Sequence, residues 1–542
     1  MHFNKDSMSQ KSINIVEQEE SDDLVKEVLA LEYTERKRTK WQTVKKYPYA
    51  VYCISTMVFA LILTSFESQA GGIVISIAKF REDFGVQLSD GTYAIEAKWQ
   101  SAFLGVPLVA QMVGQNLASF LADRVGKKWV IFGAIAVGAG LVGFQFSSTT
   151  VQTFLASKTL IAICLGTLQV SAAGYVADVT PLPLRGFATT LCNISYSIGP
   201  LVCFIINYSQ ANNTTKWAYR SMFASQWGLA AVALVLVLFV PESPVYHIIK
   251  EQPEKAENCY KKILGSEEDA KKQVLVVQTT IKEAEAVQQG YTYLDCFKGI
   301  NRKRTLVAAV PFLFQPFSGV AFTINYTAYW FQLAGFSESK SFKFTIGAQV
   351  QSVAGCIAAL FVVDRIGRRT TILWGVAALN IVNFIIGGTG LDKQKNSLNT
   401  TIAFMMMYGF WYNLGLGCVC YPISMENPTS ALRTKTFAIS MTCNLLGNML
   451  WLFIIPYIFN PDEGNLGSST MFIFAGCGIL FWIFFYFYVP ETAGRSLDEI
   501  DEMYFCRVPQ RKFKMYKTKV EMVGEETFVP DNKPLLDHVE KV

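Results

Sequence analysis

Long apolar runs alternate with short polar segments along most of the chain. A membrane-spanning helix needs about 20 consecutive, mostly apolar residues. The runs that reach this length lie at 50–78, 97–122, 129–147, 152–176, 187–208, 219–240, 306–333, 344–363, 370–389, 401–421, 435–457 and 469–489. The pattern predicts an all-α membrane protein with twelve transmembrane helices.

A polar segment divides these runs into two sets of six. Its charged stretches, such as EQPEKAENCYKKILGSEEDAKKQ, are expected to form short cytosolic helices on the membrane surface. The predicted domains are a cytosolic N-terminal tail, a first six-helix half, a linker, a second six-helix half and a cytosolic C-terminal tail. Their predicted bounds are 1–46, 47–240, 241–305, 306–490 and 491–542.

Three kinds of motif occur once in each half, in the same order. LADRVGKK at 121–128 matches VVDRIGRR at 362–369, and PESP at 241–244 matches PETAGR at 490–495. Between them an acid precedes an arginine by seven residues, in DVTPLPLR and again in ENPTSALR. Three ordered matches indicate two pseudo-symmetric halves, an architecture suited to carrying a solute across a membrane.

Basic residues set the predicted orientation. Lys and Arg concentrate after the second, eighth and tenth spans, a bias typical of cytosolic loops. The protein is expected in the plasma membrane with both termini in the cytosol, and its polar N-terminal segment is expected to contain no cleavable signal peptide. The sequons at Asn212 and Asn399 then face outward and are glycosylation candidates.

Composition narrows the class further. The chain of 542 residues is 51% hydrophobic and 17% charged, whereas soluble domains carry about 25% charged residues. The 12 Cys show no CxxC pair and the 3 His lie far apart, so we expect no metal site and no cofactor. No nucleotide loop or nucleophile–His arrangement stands out, which disfavours an enzyme, and we expect no nucleic-acid partner.

These motifs, with LDEID at 497–501, resemble the sugar porter family of the major facilitator superfamily. The likeness covers roughly residues 45–505. Within the family, the chain is most similar to the fungal alpha-glucoside (maltose-type) permeases, through WQSAF at 99–103 and the loop near residue 200. The resemblance implies the major facilitator fold, with a central site exposed alternately to each side.

The charged motif residues are expected to pair across helices at the cytosolic mouth and to favour its closed state. The resemblance implies such a gating network, whereas the alternative is a set of charges that only fixes topology. The residues concerned are Asp123, Arg124, Asp178, Arg185, Glu242, Asp364, Arg365, Glu426, Arg433 and Glu491.

Two ionisable residues lie within predicted spans, Glu67 in the first and Lys158 in the fourth. Charges inside a membrane are costly and are functional candidates by default. The resemblance places Glu67 where proton-coupled members carry Asp, and Lys158 where they carry Arg. We interpret Glu67 as the proton carrier and Lys158 as its partner; the alternative is an ionised Glu67 in a watery outer vestibule.

Amide, hydroxyl and aromatic side chains within the spans are candidates for sugar binding, because sugars present hydroxyl groups and stack on rings. The candidates are Asn193, Gln315, Asn325, Tyr326, Gln349, Ser352, Tyr421, Asn444 and Asn448. Asn444 and Asn448 share one helix face and match sugar-contact positions of the family. The alternative is that the amides bridge helices without touching a ligand.

The leading interpretation is a proton-coupled sugar symporter, with an alpha-glucoside such as maltose or another sugar as substrate. The alternatives are a passive hexose facilitator, a non-transporting sugar sensor and a drug antiporter. NLGLG at 413–417 is interpreted as a hinge of the tenth span, with close packing as the alternative.

The predicted partners are sugar, protons and the lipid bilayer, for a protein expected to be a monomer. The tails are candidates for the ubiquitin machinery. We expect the basic stretch RKFKMYKTK at 511–519 to be solvated and disordered.

Overall fold

The computed structural model describes residues 40–87, 93–181, 184–211, 213–288, 291–391, 395–429, 431–459, 464–493, 495 and 497–516. A short two-stranded hairpin pairs Val86–Gln87 with Tyr93–Ala94. The α-helices of the first half are α1 (Lys40–Lys46), α2 (Pro48–Val74), α3 (Ala78–Phe84), α4 (Ala97–Val125), α5 (Lys127–Phe146), α6 (Val151–Val179), α7 (Arg185–Gln210) and α8 (Trp217–Leu238).

Three helices follow between the halves, and a second set of long helices completes the bundle. The linker helices are α9 (Pro244–Ile249), α10 (Pro253–Leu264) and α11 (Glu267–Gln288), followed by a 3₁₀ turn at Tyr293–Phe297. The later helices are α12 (Gly299–Phe317), α13 (Val320–Asn325), α14 (Thr327–Leu333), α15 (Glu338–Ile366), α16 (Arg368–Thr389), α17 (Lys395–Tyr412), α18 (Cys420–Glu426), α19 (Arg433–Phe459), α20 (Met471–Tyr488) and α21 (Leu497–Phe505). Single helical turns lie at Asn413–Gly417, Gly467–Thr470 and Gln510–Met515.

Eleven of the twelve predicted spans correspond to helices long and apolar enough to cross a membrane, within the described part of the chain. The seventh differs, because its apolar run is divided among α12, α13 and α14. Pro316 removes a backbone donor and Gly319 adopts a left-handed φ of 99°. The run therefore turns twice while it crosses the bundle.

The helices alternate in direction, so the bundle has a linker side, where α8 ends and α12 begins, and an opposite far side. On the far side one apolar core contains residues of both halves, among them Phe66, Phe103, Phe322 and Trp451. On the linker side each half has its own separate core, centred on residues such as Tyr175 and Phe314. The halves therefore pack together on the far side and separate on the linker side.

Two equivalent glycines turn the chain sharply on the linker side. Gly126 joins α4 to α5 with φ 97°, and Gly367 joins α15 to α16 with φ 101°. A Cβ atom at either glycine would collide with a carboxylate, of Glu242 in the first half and of Glu491 in the second. Only glycine tolerates both the left-handed backbone and this close approach.

Candidate functional site

The halves enclose a cavity of about 220 Å³ midway along the helices, termed the central cavity. It is lined by five of the nine residues predicted to bind sugar, contributed by α7, α12, α15 and α18. These residues are Asn193, Gln315, Gln349, Ser352 and Tyr421. The wall therefore contains amides, a hydroxyl and an aromatic ring from both halves.

The other four predicted sugar contacts lie outside the central cavity. Asn444 donates from Nδ2 to Gln315 Oε1 at 2.8 Å, and Asn448 donates to Asn444 Oδ1 at 3.1 Å. These two amides position Gln315 through a chain of hydrogen bonds. Asn325 lines a neighbouring cavity, whereas Tyr326 is fully buried among phenylalanine rings of the far-side core.

Three residues of the tenth span line the central cavity and were not predicted from the sequence, Tyr408, Tyr412 and Asn413. Tyr408 and Tyr412 line the cavity with stacked rings, 6.1 Å between centroids. Asn413 donates from Nδ2 to Ser352 Oγ at 2.7 Å. The available signal was spacing, because Tyr408 and Tyr412 are four residues apart and share one helix face.

NLGLG forms one turn of π-helix, Asn413–Gly417, between α17 and α18. Such turns are rare and occur often at functional sites. Gly415 also packs so closely on Gly375 of α16 that a Cβ on either glycine would collide with the other's backbone. The segment therefore combines a helix irregularity with close packing.

Glu67 on α2 and Lys158 on α6 form an ion pair, with Nζ 3.0 Å from Oε1. Their exposed fractions are 1% and 4%. Lys158 Nζ also donates to the backbone carbonyl of Glu67 at 3.0 Å. The structure thus brings together the two ionisable residues singled out in the sequence and keeps them away from solvent, not in a watery vestibule.

Two glutamines, not predicted, complete the surroundings of the Glu67 carboxylate. Gln145 Nε2 donates to Oε1 at 3.3 Å, and Gln226 Nε2 donates to Oε2. A buried carboxylate is costly unless hydrogen bonds satisfy its lone pairs, and these amides supply them. In the sequence, each of these glutamines could be noticed only as an amide within an apolar run.

Two further cavities adjoin the central one. The ion-pair cavity, about 240 Å³, touches Glu67 and Lys158, and it shares Tyr196, Pro200 and Ile324 with the central cavity. The vestibule, about 710 Å³, extends toward the linker side between α6, α7 and α19. Tyr196 lines all three cavities.

Polar contacts join the two halves on the far side. Arg81 of α3 donates to Gln332 Oε1 at 2.8 Å and lies 3.9 Å from the carboxylate of Glu338. Gln332 in turn donates to the carbonyl of Ser76 at 2.6 Å. Burial lowers the pKa of Arg81 below its usual range, although its charge persists at neutral pH. In this conformation the far side is closed and the vestibule faces the linker side.

The three repeated motifs of the first half meet on the linker side. Lys127 Nζ lies 2.6 Å from Asp178 Oδ2, and Ser243 Oγ donates to the same oxygen. Glu242 Oε1 accepts from the backbone N–H of Lys128 at 3.0 Å. Both acids predicted for this part of the network therefore have partners within their own half.

The second half repeats this arrangement. Arg368 Nη2 lies 3.1 Å from Glu426 Oε1, and Thr492 Oγ1 donates to Glu426 Oε2 at 2.5 Å. Glu491 accepts from the backbone N–H groups of Arg368 at 2.8 Å and Arg369 at 3.2 Å. Because the contacts stay inside one half, they join helices of that half and do not fasten the halves to each other.

The prediction that the Asp-Arg pair before each glycine meets these acids is wrong for the first half. Asp123 and Arg124 are exposed, and Arg124 lies over the Phe120 ring at 4.1 Å. The glycine turn directs the basic residue after it, not the pair before it, toward the acid. Arg365 is likewise exposed and Arg433 begins α19, whereas the side chains of Arg185 and Asp364 lie outside the described residues.

The remaining predictions concern the loops and the C-terminal tail. Asn399 is exposed near the far-side end of α17, and Asn212 lies outside the described residues. The expectation that 511–519 is disordered is wrong for its first part, although Arg511, Lys512 and Lys514 are exposed as expected. Gln510–Met515 forms a 3₁₀ helix whose Phe513 is buried against Tyr504 of α21, with ring centroids 5.2 Å apart.

Two matching sets of membrane helices around a polar central cavity, beside a buried ion pair, define a multi-pass membrane carrier. The sequence model of the family described as "Sugar (and other) transporter" matches residues 13–504. The chain belongs to this family, which confirms the predicted resemblance.

The curated relatives are fungal transporters, not enzymes. The chain is 28% identical to the general alpha-glucoside permease of Saccharomyces cerevisiae, over 88% of the chain and 79% of the relative. It is 27% identical to maltose permease MAL61 of the same organism, over 92% and 82%. It is also 27% identical to the MFS transporter fmqE of Aspergillus fumigatus, over 94% and 98%.

Solved structures confirm the major facilitator fold with its twelve helices. The proton:xylose symporter XylE bound to 6-bromo-6-deoxy-D-glucose superposes with a TM-score of 0.67 at 21% identity, covering 84% of this chain and 99% of that one. A partially occluded inward open conformation of XylE from E. coli gives 0.68 at 20% identity, covering 83% and 100%.

Proposed function

We propose that this protein is a proton-coupled sugar symporter of the plasma membrane, carrying an alpha-glucoside such as maltose by alternating access. The observation that carries the proposal is the buried Glu67–Lys158 pair, 3.0 Å apart, in a cavity that abuts the central cavity. The pair therefore lies close to the space in which a sugar would bind. The printed names of the alpha-glucoside and maltose permeases support the choice of sugar.

In this proposal the linker and both termini lie in the cytosol. The distribution of contacts between the halves then supports alternating access. The far-side core and the Arg81–Gln332 contact hold the outer face closed in this inward-facing conformation. Rocking of the halves about the central cavity would break these contacts and close the vestibule. The Asp178 and Glu426 contacts keep each half rigid during this motion.

Proton movement is coupled to sugar transport through the charge of Glu67, because the ion pair with Lys158 exists only while Glu67 is ionised. Protonation from the outside neutralises Glu67 and removes its attraction for Lys158, which frees α2 and α6 to shift. Once the site faces the cytosol, the proton leaves, and the carboxylate again pairs with Lys158 and accepts from Gln145 and Gln226. Sugar binds at Gln315, held in place by Asn444.

A passive hexose facilitator has no need of a buried ion pair, and so the geometry favours symport. The test is uptake of labelled maltose and glucose by cells that lack their own carriers, with external pH recorded. We expect sugar uptake with alkalinisation of the medium. Uptake without alkalinisation would instead assign a facilitator, and binding without uptake would assign a sensor.

A further inference from the structure

Two adjoining cavities of similar size lie at the centre of this protein. The central cavity measures about 220 Å³ and the ion-pair cavity about 240 Å³. A hexose ring occupies on the order of 180 Å³, the liquid volume of about six water molecules. Each cavity has room for one ring, and the two together offer space for a disaccharide.

The wall of the ion-pair cavity contains polar side chains among apolar ones. Its wall includes Ser65, Ser68, Gln69, Gln111 and Asn325 in addition to the ion pair. Ser68 and the ring of Tyr196 are exposed inside the protein because they face cavity space. Such a wall offers hydrogen-bond donors and acceptors to the hydroxyl groups of a sugar and apolar side chains to the faces of its ring.

The break in the seventh span directs successive residues into the two cavities. Where α13 ends, Ile324 borders both cavities and Asn325 borders the ion-pair cavity alone. In an unbroken helix, Ile324 and Asn325 would point to different faces, and the two cavities would stay apart. The wall between the cavities is consequently only three side chains, Tyr196, Pro200 and Ile324.

We propose that the ion-pair cavity is a subsite for the second ring of a disaccharide, with the first ring in the central cavity. The glycosidic oxygen would pass beside Tyr196, whose ring faces both sugars. The second ring would then lie beside the Glu67–Lys158 pair, which borders this cavity. This inference rests on the proposed function and narrows its substrate class to sugars of two rings.

The vestibule is the competing position for the second ring, since it also meets the central cavity, at Asn193, Tyr196 and Tyr421. Its volume of about 710 Å³ exceeds that of a whole disaccharide, and its wall mixes alanines and aliphatic side chains with amides and aromatic rings. A space of that size suits passage toward the cytosol better than selective binding of one ring.

The test fills the subsite by Ser68→Leu and compares the kcat/KM of maltose uptake with that of glucose uptake. Ser68 donates only to its own helix, to the Thr64 carbonyl at 3.0 Å, so the fold should persist. Ser55→Leu is the matched control, because Ser55 is an exposed serine of the same helix. We expect the maltose-to-glucose ratio to fall at least tenfold in Ser68→Leu and to stay constant in Ser55→Leu.

A ratio that stays constant in Ser68→Leu, whether both uptakes persist or both decline, would overturn the subsite. Wild-type protein that carries glucose but no disaccharide would overturn it as well. Retained alkalinisation with glucose in Ser68→Leu verifies that Glu67 still works. A fall in the ratio without alkalinisation in any variant would leave the subsite standing and refute proton coupling.

Discussion

Replacing Glu67 by glutamine removes the charge that we assign to proton coupling and keeps the shape of the side chain. The amide oxygen of the substituted side chain can still accept from Lys158 and Gln145, which both donate to Oε1 in the native site. Its amide nitrogen would face Gln226, which must turn its own amide to accept. Failure to turn would leave a buried donor unpaired, at about 1–3 kcal/mol. Buried Lys158 also loses its counter-charge, at about 3–5 kcal/mol, so the folding of the variant is checked by thermal unfolding.

The effect on transport follows from the energy that one proton supplies. A potential of 100 mV, negative inside, provides about 2.3 kcal/mol per elementary charge. At about 1.4 kcal/mol per tenfold, a one-proton symporter accumulates its sugar roughly 50-fold. We expect Glu67→Gln to reduce this accumulation to unity and to leave exchange of labelled for unlabelled sugar intact, because exchange needs no net proton movement.

The assay is sugar accumulation in proteoliposomes under an imposed potential, beside counterflow in the same preparation. Glu67→Asp is the matched control, since it keeps the charge on a side chain shorter by one methylene and should keep part of the accumulation. Accumulation by Glu67→Gln at the wild-type level would refute the assignment of the proton to this residue. If Glu67→Gln lost both counterflow and accumulation, Glu67 would be needed for sugar exchange itself and not only for proton coupling.

Three further substitutions probe the closed far side, the π-helical turn and the C-terminal tail. Arg81→Met removes charged hydrogen bonds between the halves, worth about 2 kcal/mol. The far side should then open more often, and a cysteine introduced into the ion-pair cavity should be labelled from that side roughly 30-fold faster. Lys79→Met should not speed this labelling, because Lys79 pairs only within α3. Gly415→Ala should lower both thermal stability and uptake through overpacking, at about 1–3 kcal/mol, whereas Gly133→Ala, with open space at its Cβ, should change neither. Arg304→Met should cost about 1.5–3 kcal/mol in unfolding experiments, because buried Arg304 joins α12 to α21 through a charged hydrogen bond. Arg302→Met, at an exposed arginine, is the control. Equal effects in any of the three matched pairs would contradict the contact concerned.

Much of the fold could be predicted because a membrane imposes a simple rule on the sequence. Each span needs a long apolar run, and eleven of the runs are helices of the expected length. The seventh run is apolar enough, yet its composition cannot show that Gly319 turns left-handed or that the helix breaks at Tyr326. Those features depend on packing against α19 and α20.

The sequence predicted which types of residue form the site, but only some of the contacts that these residues make with one another. Glu67 and Lys158 stood out because charges are rare within spans, and the structure pairs them. Gln145 and Gln226 did not stand out, since an amide in a span more often joins helices. Asn444 likewise supports Gln315 and is not part of the central-cavity wall.

By itself, the sequence determined the spans, the two matching halves and the family, because these follow from hydropathy and from short repeated motifs. Only the tertiary structure decided which charges meet and where empty space lies. It directed Lys127 and Arg368, not Arg124 or Arg365, toward the acids, and it set an ion-pair cavity beside the central one. The reason is physical: a contact or a cavity depends on how helices distant in sequence pack, and no local pattern in the chain records that packing.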